Sequence, residues 1–349
     1  MANTAERFCR LTLSSVSRTF ALNIPVLPPP LDFVVSVAYL LCRIADTIED
    51  ETEGSATERE LLAEFSRLCA LPRDWRPASV LFHRAARRRL RREAPAAEVR
   101  LLRGTPLVLR ALSELRPPAR SSIARCIQVM ASGMSELMQQ QEANGRGRGL
   151  ADVDQMLTYC YYVAGVVGEM LTELFARHSS GIETRAGKLM ARAPAFGRAL
   201  QLTNILRDAR QDLEDGRCFL PRREMEKHGL TVETLLEPSR RRDAVALFDE
   251  LIAVARREAD VAFEYTVAIP PEERGIRLFC LWPLLFAVLT LRELEGNPAV
   301  LEPTPIKIGR DAVQRVMMLT RSIVGNDEEL RAHYRACGAR PSDGIAPSA

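Results

Sequence analysis

The sequence predicts an all-α protein, and three observations carry that prediction. Apolar residues recur at the helical repeat through long stretches, among them residues 31–53, 119–143, 158–178, 198–221, 242–268 and 277–293. No run alternates apolar and polar residues as a half-buried strand would, and no unit of 30 to 45 residues repeats. Breakers such as Pro28 to Pro30, Pro72 and Pro77, NGRGRG at 144–149, and Pro270 with Pro271 fall between the periodic stretches. A chain of 349 residues is ample for a substantial core, in one large domain or two medium ones. Its net charge of +3 gives no general affinity for nucleic acid or acidic lipid.

Residues 5–20 read as a short amphipathic helix that ends in Ser17, Arg18, Thr19 and Phe20. The proline-rich break follows, and Asp32 is available to cap the next helix. That helix, LDFVVSVAYLLCRIADTIEDETE, places Tyr39, Arg43, Asp46 and Asp50 on one stripe of an otherwise apolar surface. Burying two carboxylates without partners costs several kcal/mol or more, so the stripe needs cations or a wet cavity. At this point two readings stand: Asp46 and Asp50 hold a divalent metal while Arg43 awaits an anion, or the residues are a solvated helix end. A polar connection and a helix over 58–70 come next. The basic run HRAARRRLRRE at 83–93 has few interleaved aromatics and reads as a solvated helix face.

Over 119–143 the methionines read as core filler, and Asp152 or Asp154 can cap the helix that contains residues 158–178. Ala164, Gly165 and Gly168 allow a neighbouring backbone or a bulky apolar ligand to come close. Tyr159 and Tyr162 lie one turn apart, and Glu173 with Arg177 reads as an i,i+4 surface pair. Residues 198–221 then repeat the construction of the first acidic helix, because Gln201, Asn204, Asp208 and Asp212 again form a single polar row. Two Asp pairs at spacing four, each near an arginine (Arg43, Arg207) and about 160 positions apart, are poorly explained by chance. Magnesium takes one or two carboxylates and fills its other positions with water and phosphate oxygens. Two aspartate walls facing each other across a bundle could therefore bridge metal ions to one diphosphate, with Arg43 and Arg207 holding it as it leaves a carbocation behind. Further on, residues 277–293 have an apolar core of about 14 residues, short of the roughly 20 a bilayer needs, and read as a buried helix. The final helix is expected at about 308–323.

Five motifs in order, SRTF (17–20), DTIED (46–50), YCYYVAG (159–165), QLTNILRDARQD (201–212) and FCLWP (279–283), resemble the squalene and phytoene synthase family of head-to-head prenyl transferases. The resemblance implies a single-domain, isoprenoid-synthase-type helical bundle over residues 1–335, around a deep apolar cavity with both Asp pairs at its mouth. Residues 336–349 are then a disordered tail without a hydrophobic anchor. It implies that Asp46, Glu49, Asp50, Asp208 and Asp212 hold Mg2+, with Mn2+ as an alternative. Ser17, Arg18, Phe20, Tyr39, Tyr162, Gln201 and Asn204 are the implied substrate contacts. Tyr159 belongs to the first reaction step, Phe279 faces the second-step cation, and Arg43 and Arg207 stabilise the leaving group. Lys307 and Arg310 resemble a basic segment near the NADPH end, although no Gly-rich dinucleotide fingerprint is present. Leu284 stands where the family often has Gln.

The implied reaction joins two farnesyl diphosphates into presqualene diphosphate and reduces this with NADPH to squalene. A phytoene or dehydrosqualene synthase, which omits the reduction, is the near alternative. A non-catalytic helical scaffold for prenyl lipids is the alternative of another class. The eight scattered cysteines, with no C-x-x-C pair, read as reduced thiols, and no signal peptide is apparent. The expectation is a cytoplasmic protein with peripheral membrane contact for product release and no nucleic-acid partner; the sequence does not specify an oligomeric state.

Overall fold

The computed structural model describes residues 4–52, 54–145 and 147–339, and these fold into helices and connections. In chain order the helices are α1 (Thr4–Val16), α2 (Arg18–Asn23), α3 (Leu31–Glu51), α4 (Ser55–Cys69), α5 (Trp75–Arg87), α6 (Ala96–Arg103), α7 (Thr105–Glu114) and α8 (Pro117–Asn144). They continue as α9 (Val153–Cys160), α10 (Val166–His178), α11 (Ser180–Glu183), α12 (Ala186–Met190), α13 (Ala193–Glu214) and α14 (Arg222–Lys227). The last four are α15 (Arg241–Ala268), α16 (Arg274–Leu294), α17 (Arg310–Ile323) and α18 (Asp327–Gly338). No strand forms among the described residues, where only the isolated bridges Thr52 to Leu90 and Leu150 to Pro221 occur. The all-helical expectation therefore holds.

The chain divides into two compact units, one of Met1–Gln139 with Met170–Glu183 and one of Gln140–Glu169 with Thr184–Ala349. In the first unit α3 is the central element, packing against α1, α4, α6 and α7. Leu31, Val35, Ala38, Leu41, Ala45 and Ile48 are buried along it, which is the helical repeat the sequence displays. Ser17 does not lie inside one continuous helix. Its Oγ accepts from the Phe20 amide at 3.0 Å, capping α2 and separating it from α1. Asp32 lies in the first turn of α3 and accepts from Arg10 at 3.2 Å, rather than capping the helix.

In the second unit α13 packs on α15 and α16. Asp152 caps α9 as expected, its Oδ1 accepting from the Gln155 amide at 3.0 Å. Residues 158–178 are not one regular helix, because Tyr161–Gly165 form a π-helical turn between α9 and α10. A Cβ on Gly197 of α13 would lie 2.0 Å from the Ala164 carbonyl oxygen, and one on Gly168 would lie 2.1 Å from that of Ala193. The small residues thus admit a neighbouring backbone, one of the two uses their size allows.

Helix α16 is long and apolar enough to cross a membrane, yet 83% of its most apolar window is buried inside the protein. Arg277 on this helix is fully buried and donates to the carbonyls of Val267, Ile269 and Val324 and to Asp327 at 2.6 to 3.0 Å. Such complete pairing is what makes a buried guanidinium tolerable. The helix expected at 308–323 is α17, and it is not the last. Asn326 caps α18, which extends to Gly338, past the start of the expected tail; residues 340–349 lie outside the described residues. All eight cysteines are free and buried. Glu173 does not pair with Arg177; it accepts from Ser122 and from Arg125 of α8, the latter at 2.6 and 2.7 Å. A cross-helix partner here supplies two charge-assisted bonds that an exposed i,i+4 neighbour does not match.

Candidate active site

In the first unit the polar stripe of α3 is built as a chain of contacts. Phe20 leans on Tyr39 with ring centroids 5.0 Å apart, and Ser17 caps the helix that carries Phe20. Burial pushes the Tyr39 phenol up to about 12, against the opposing pull of Ser17 and Arg43. One turn on, Arg43 donates through Nε and a terminal nitrogen to Oε1 of Glu98, at 3.0 and 2.8 Å. Thr47 holds the other oxygen of Glu98 at 2.7 Å. Glu98 is buried and belongs to α6, 55 residues away in sequence. A buried carboxylate thus already engages Arg43 through two of its nitrogens.

The remaining terminal nitrogen of Arg43 lies 3.9 Å from Asp46. Burial opposes the Arg43 charge, but Asp46 and Glu98 more than offset this and hold its pKa above the ordinary arginine range. For Asp46, burial pushes the carboxyl up to about 7; Arg43 pulls it down, while Asp50 and Glu98 raise it further. With 33% of its side-chain surface open, Asp46 is surrounded by protein but still reachable by a small ion. Glu49 and Asp50 continue the row, half-buried, to the end of α3. Ser17, Phe20, Tyr39, Arg43 and Asp46 are thus brought together, whereas the side chain of Arg18 lies outside the described residues.

In the second unit α13 carries the second row, with Gln201, Asp208 and Asp212 half-buried and Asn204 exposed. Here too arginine meets carboxylate. Arg207 grips its neighbour Asp208 with two hydrogen bonds, one of them 2.8 Å, and Arg217 reaches Asp212 at 3.1 Å and Asp215 at 3.6 Å. Sequence reasoning missed Arg217, although its position just past Gly216, whose φ of +72° turns the chain back, was a usable signal. Tyr159 is buried and stacks on Phe219, centroids 4.8 Å apart, while Tyr162 tilts against Tyr161 instead of accompanying Tyr159. Tyr162 itself lies within the π turn and so leaves the regular helical spacing that starts at Tyr159. Phe279 is buried on α16, and Lys307 and Arg310 are exposed before and at the start of α17.

Among the described residues no group of three or more His, Cys, Asp or Glu side chains is arranged to hold a metal ion. Each Asp pair can still supply one or two carboxylates, the share magnesium takes from a protein when phosphate and water complete its shell. The donor chemistry fits: the ligand atoms are all carboxylate oxygens, and Asp46 sits where its own charge is disfavoured without a cation.

A family model described as squalene/phytoene synthase matches residues 13–312. A squalene synthase from Candida albicans is 30% identical over 322 residues, covering 91% of this chain and 68% of the relative. One from Cyberlindnera jadinii is 27% identical over 340 residues, covering 96% and 72%. Among solved structures, TcSQS in complex with the ligand E5700 superposes with a TM-score of 0.81 at 26% identity, covering 98% of this chain and 94% of that one. A dehydrosqualene synthase in complex with ligand reaches 0.60 at 21% identity, covering 95% and 97%.

Proposed function

The chain belongs to the squalene/phytoene synthase family, and from that membership we propose that it joins two farnesyl diphosphates head to head and reduces the product to squalene. The observation that carries the reading is the likeness to squalene synthases along 91% of the chain, in a protein with two Asp rows that each carry paired arginine. We assign the metal role to Asp46, Glu49, Asp50, Asp208 and Asp212. Magnesium bound there supplies charge stabilisation for the departing diphosphate.

The chain's own residues do the rest. Glu98 and Thr47 fix Arg43 beside Asp46, so that one cation can meet phosphate without sweeping through rotamers. Arg207 and Arg217 neutralise the second row before metal arrives and are available to phosphate oxygens once metal takes the carboxylates. Ser17, Phe20, Tyr39, Tyr162, Gln201 and Asn204 are assigned to substrate binding, with Arg18 added by its motif. Tyr159 is assigned to the first step, in which an allylic cation is attacked by the second double bond and a proton leaves. Phe279, buried and aromatic, stabilises the second cation by about 0.5 to 2 kcal/mol and excludes water from it. NADPH supplies the hydride that ends the sequence. Exposed Lys307 and Arg310 offer positive charge for its phosphates.

Eight free, buried thiols support a reducing compartment, in keeping with a cytoplasmic protein. Incubating the purified protein with farnesyl diphosphate, magnesium and NADPH, followed by mass analysis of the lipid extract, tests the reading. Squalene formed only with NADPH supports it. A polyene product unchanged by NADPH assigns the chain to the dehydrosqualene or phytoene branch instead.

A further inference from the structure

The basic run at 83–93 has no part in that chemistry, and the structure gives it a definite shape. Within the first unit, His83, Arg84, Arg87 and Arg88 on and just beyond α5 converge with Arg103 of α6 on one cavity of about 580 Å³. Among the described residues no acidic side chain lines it. Most arginines of the active-site rows hold carboxylates, but Arg84, Arg87, Arg88 and Arg103 make no side-chain hydrogen bond or ion pair among the described residues. Nδ1 of His83 is buried and likewise unpartnered. Cations in the last turns of α5 and α6 complement each helix's own dipole, and the two C-terminal ends bring their arginines to the same cavity. Four guanidinium groups without a partner among the described residues, set around one concavity, favour an anion between them.

The same helix carries exposed apolar residues. Leu81 is 67% exposed and Val80 is 37% exposed, one turn before Arg84 on the outward face, with Arg88 a further turn on. A soluble phosphate or a nucleic acid would have no use for that leading apolar turn. An anionic membrane surface uses both halves, because the apolar side chains enter the acyl boundary while the arginines reach phosphate headgroups. We propose that the α5 and α6 face of the first unit docks the protein on anionic phospholipid, with one headgroup phosphate seated in the arginine-lined cavity. The proposal stands on charge and exposure and is independent of the reaction assigned above.

The test is co-sedimentation of the full chain with vesicles of phosphatidylcholine alone and of phosphatidylcholine mixed with phosphatidylglycerol, across a salt series. Binding to the mixed vesicles is expected to be at least about tenfold stronger and to weaken with salt. An Arg84→Gln/Arg88→Gln double variant should lose about 25-fold, at about fivefold per arginine. Leu81→Ser should lose about tenfold. These are surface positions, so circular dichroism and thermal midpoints should stay at the parent values. Equal binding to both vesicle types, or parent-like binding by the double variant, overturns the proposal. So does parent-like binding by Leu81→Ser with full displacement by millimolar inorganic phosphate, which assigns the cavity to a soluble anion. Tighter, arginine-dependent binding to duplex DNA in the same buffer also overturns it.

Discussion

Arg43 and Glu98 are joined by two hydrogen bonds to a single carboxylate oxygen, at 3.0 and 2.8 Å, although one lies on α3 and the other on α6. The pair orients the arginine that stands 3.9 Å from Asp46. Glu98→Gln keeps the shape but gives up the charge, and it should raise KM for farnesyl diphosphate more than it lowers the thermal midpoint would explain. Glu98→Ala should in addition cost about 3 kcal/mol of stability, because a partly buried guanidinium loses its partner. Steady-state kinetics beside thermal melts check both, and Glu98→Asp should recover less activity than stability.

Asp46 gives a pH signature in metal-free protein. Below its ordinary value near 3.8 the folded and unfolded chains both hold the proton, so the site contributes no pH trend. Between there and about 7 the folded protein keeps a proton that the unfolded chain has lost, so stability falls with rising pH and levels off above that point. With a third of the side chain open, screening reduces the effect to about 1 kcal/mol, or about 1 to 2 °C in thermal midpoint for a chain of this length. Asp46→Asn should therefore melt higher than the parent at pH 8 without metal and equal to it near pH 4. Magnesium at pH 8 should stabilise the parent more than the variant.

Arg217 lies 3.1 Å from Asp212 and competes with any cation there. In Arg217→Gln, Mn2+ binding without substrate should tighten several-fold in an electron paramagnetic resonance titration, while turnover falls. Unchanged Mn2+ affinity would mean that Asp212 takes no part in holding the ion.

Gly197→Ala tests the helix contact behind the π turn. Its Cβ would sit 2.0 Å from the Ala164 carbonyl oxygen, a backbone atom that cannot swing aside. A loss of about 2 to 3 kcal/mol is expected in denaturant unfolding. Gly187→Ala on α12 meets nothing within 4 Å and should be neutral or stabilising by up to about 1 kcal/mol.

These cases show which features the sequence makes legible. The acidic rows on α3 and α13 and the burial of α16 follow from local periodicity, which a single chain displays directly. Glu98 was hidden because its partner is 55 residues away and its own segment looks like an ordinary helix start after Pro95. Glu173 was assigned to its neighbour Arg177 for the same reason, when the fold instead supplies Arg125 from 48 residues away. The π turn at Tyr161–Gly165 interrupts the regular spacing after Tyr159, and a uniform 100° period does not register it. The start of α2 at Arg18 depends on one hydroxyl, that of Ser17, which the motif SRTF presents as a site residue.

The central claim is that each acidic row is required for the ionisation of farnesyl diphosphate. Its most direct test is the rate of diphosphate release from farnesyl diphosphate, with magnesium and without NADPH, in Asp46→Ala, Asp208→Ala and the double variant, each shown to be folded. The account predicts that either single change slows release at least about 100-fold and that the double is scarcely worse than the more severe single, as for groups that work as a unit. Release at the parent rate after loss of either aspartate, or losses that simply multiply in the double, would contradict it.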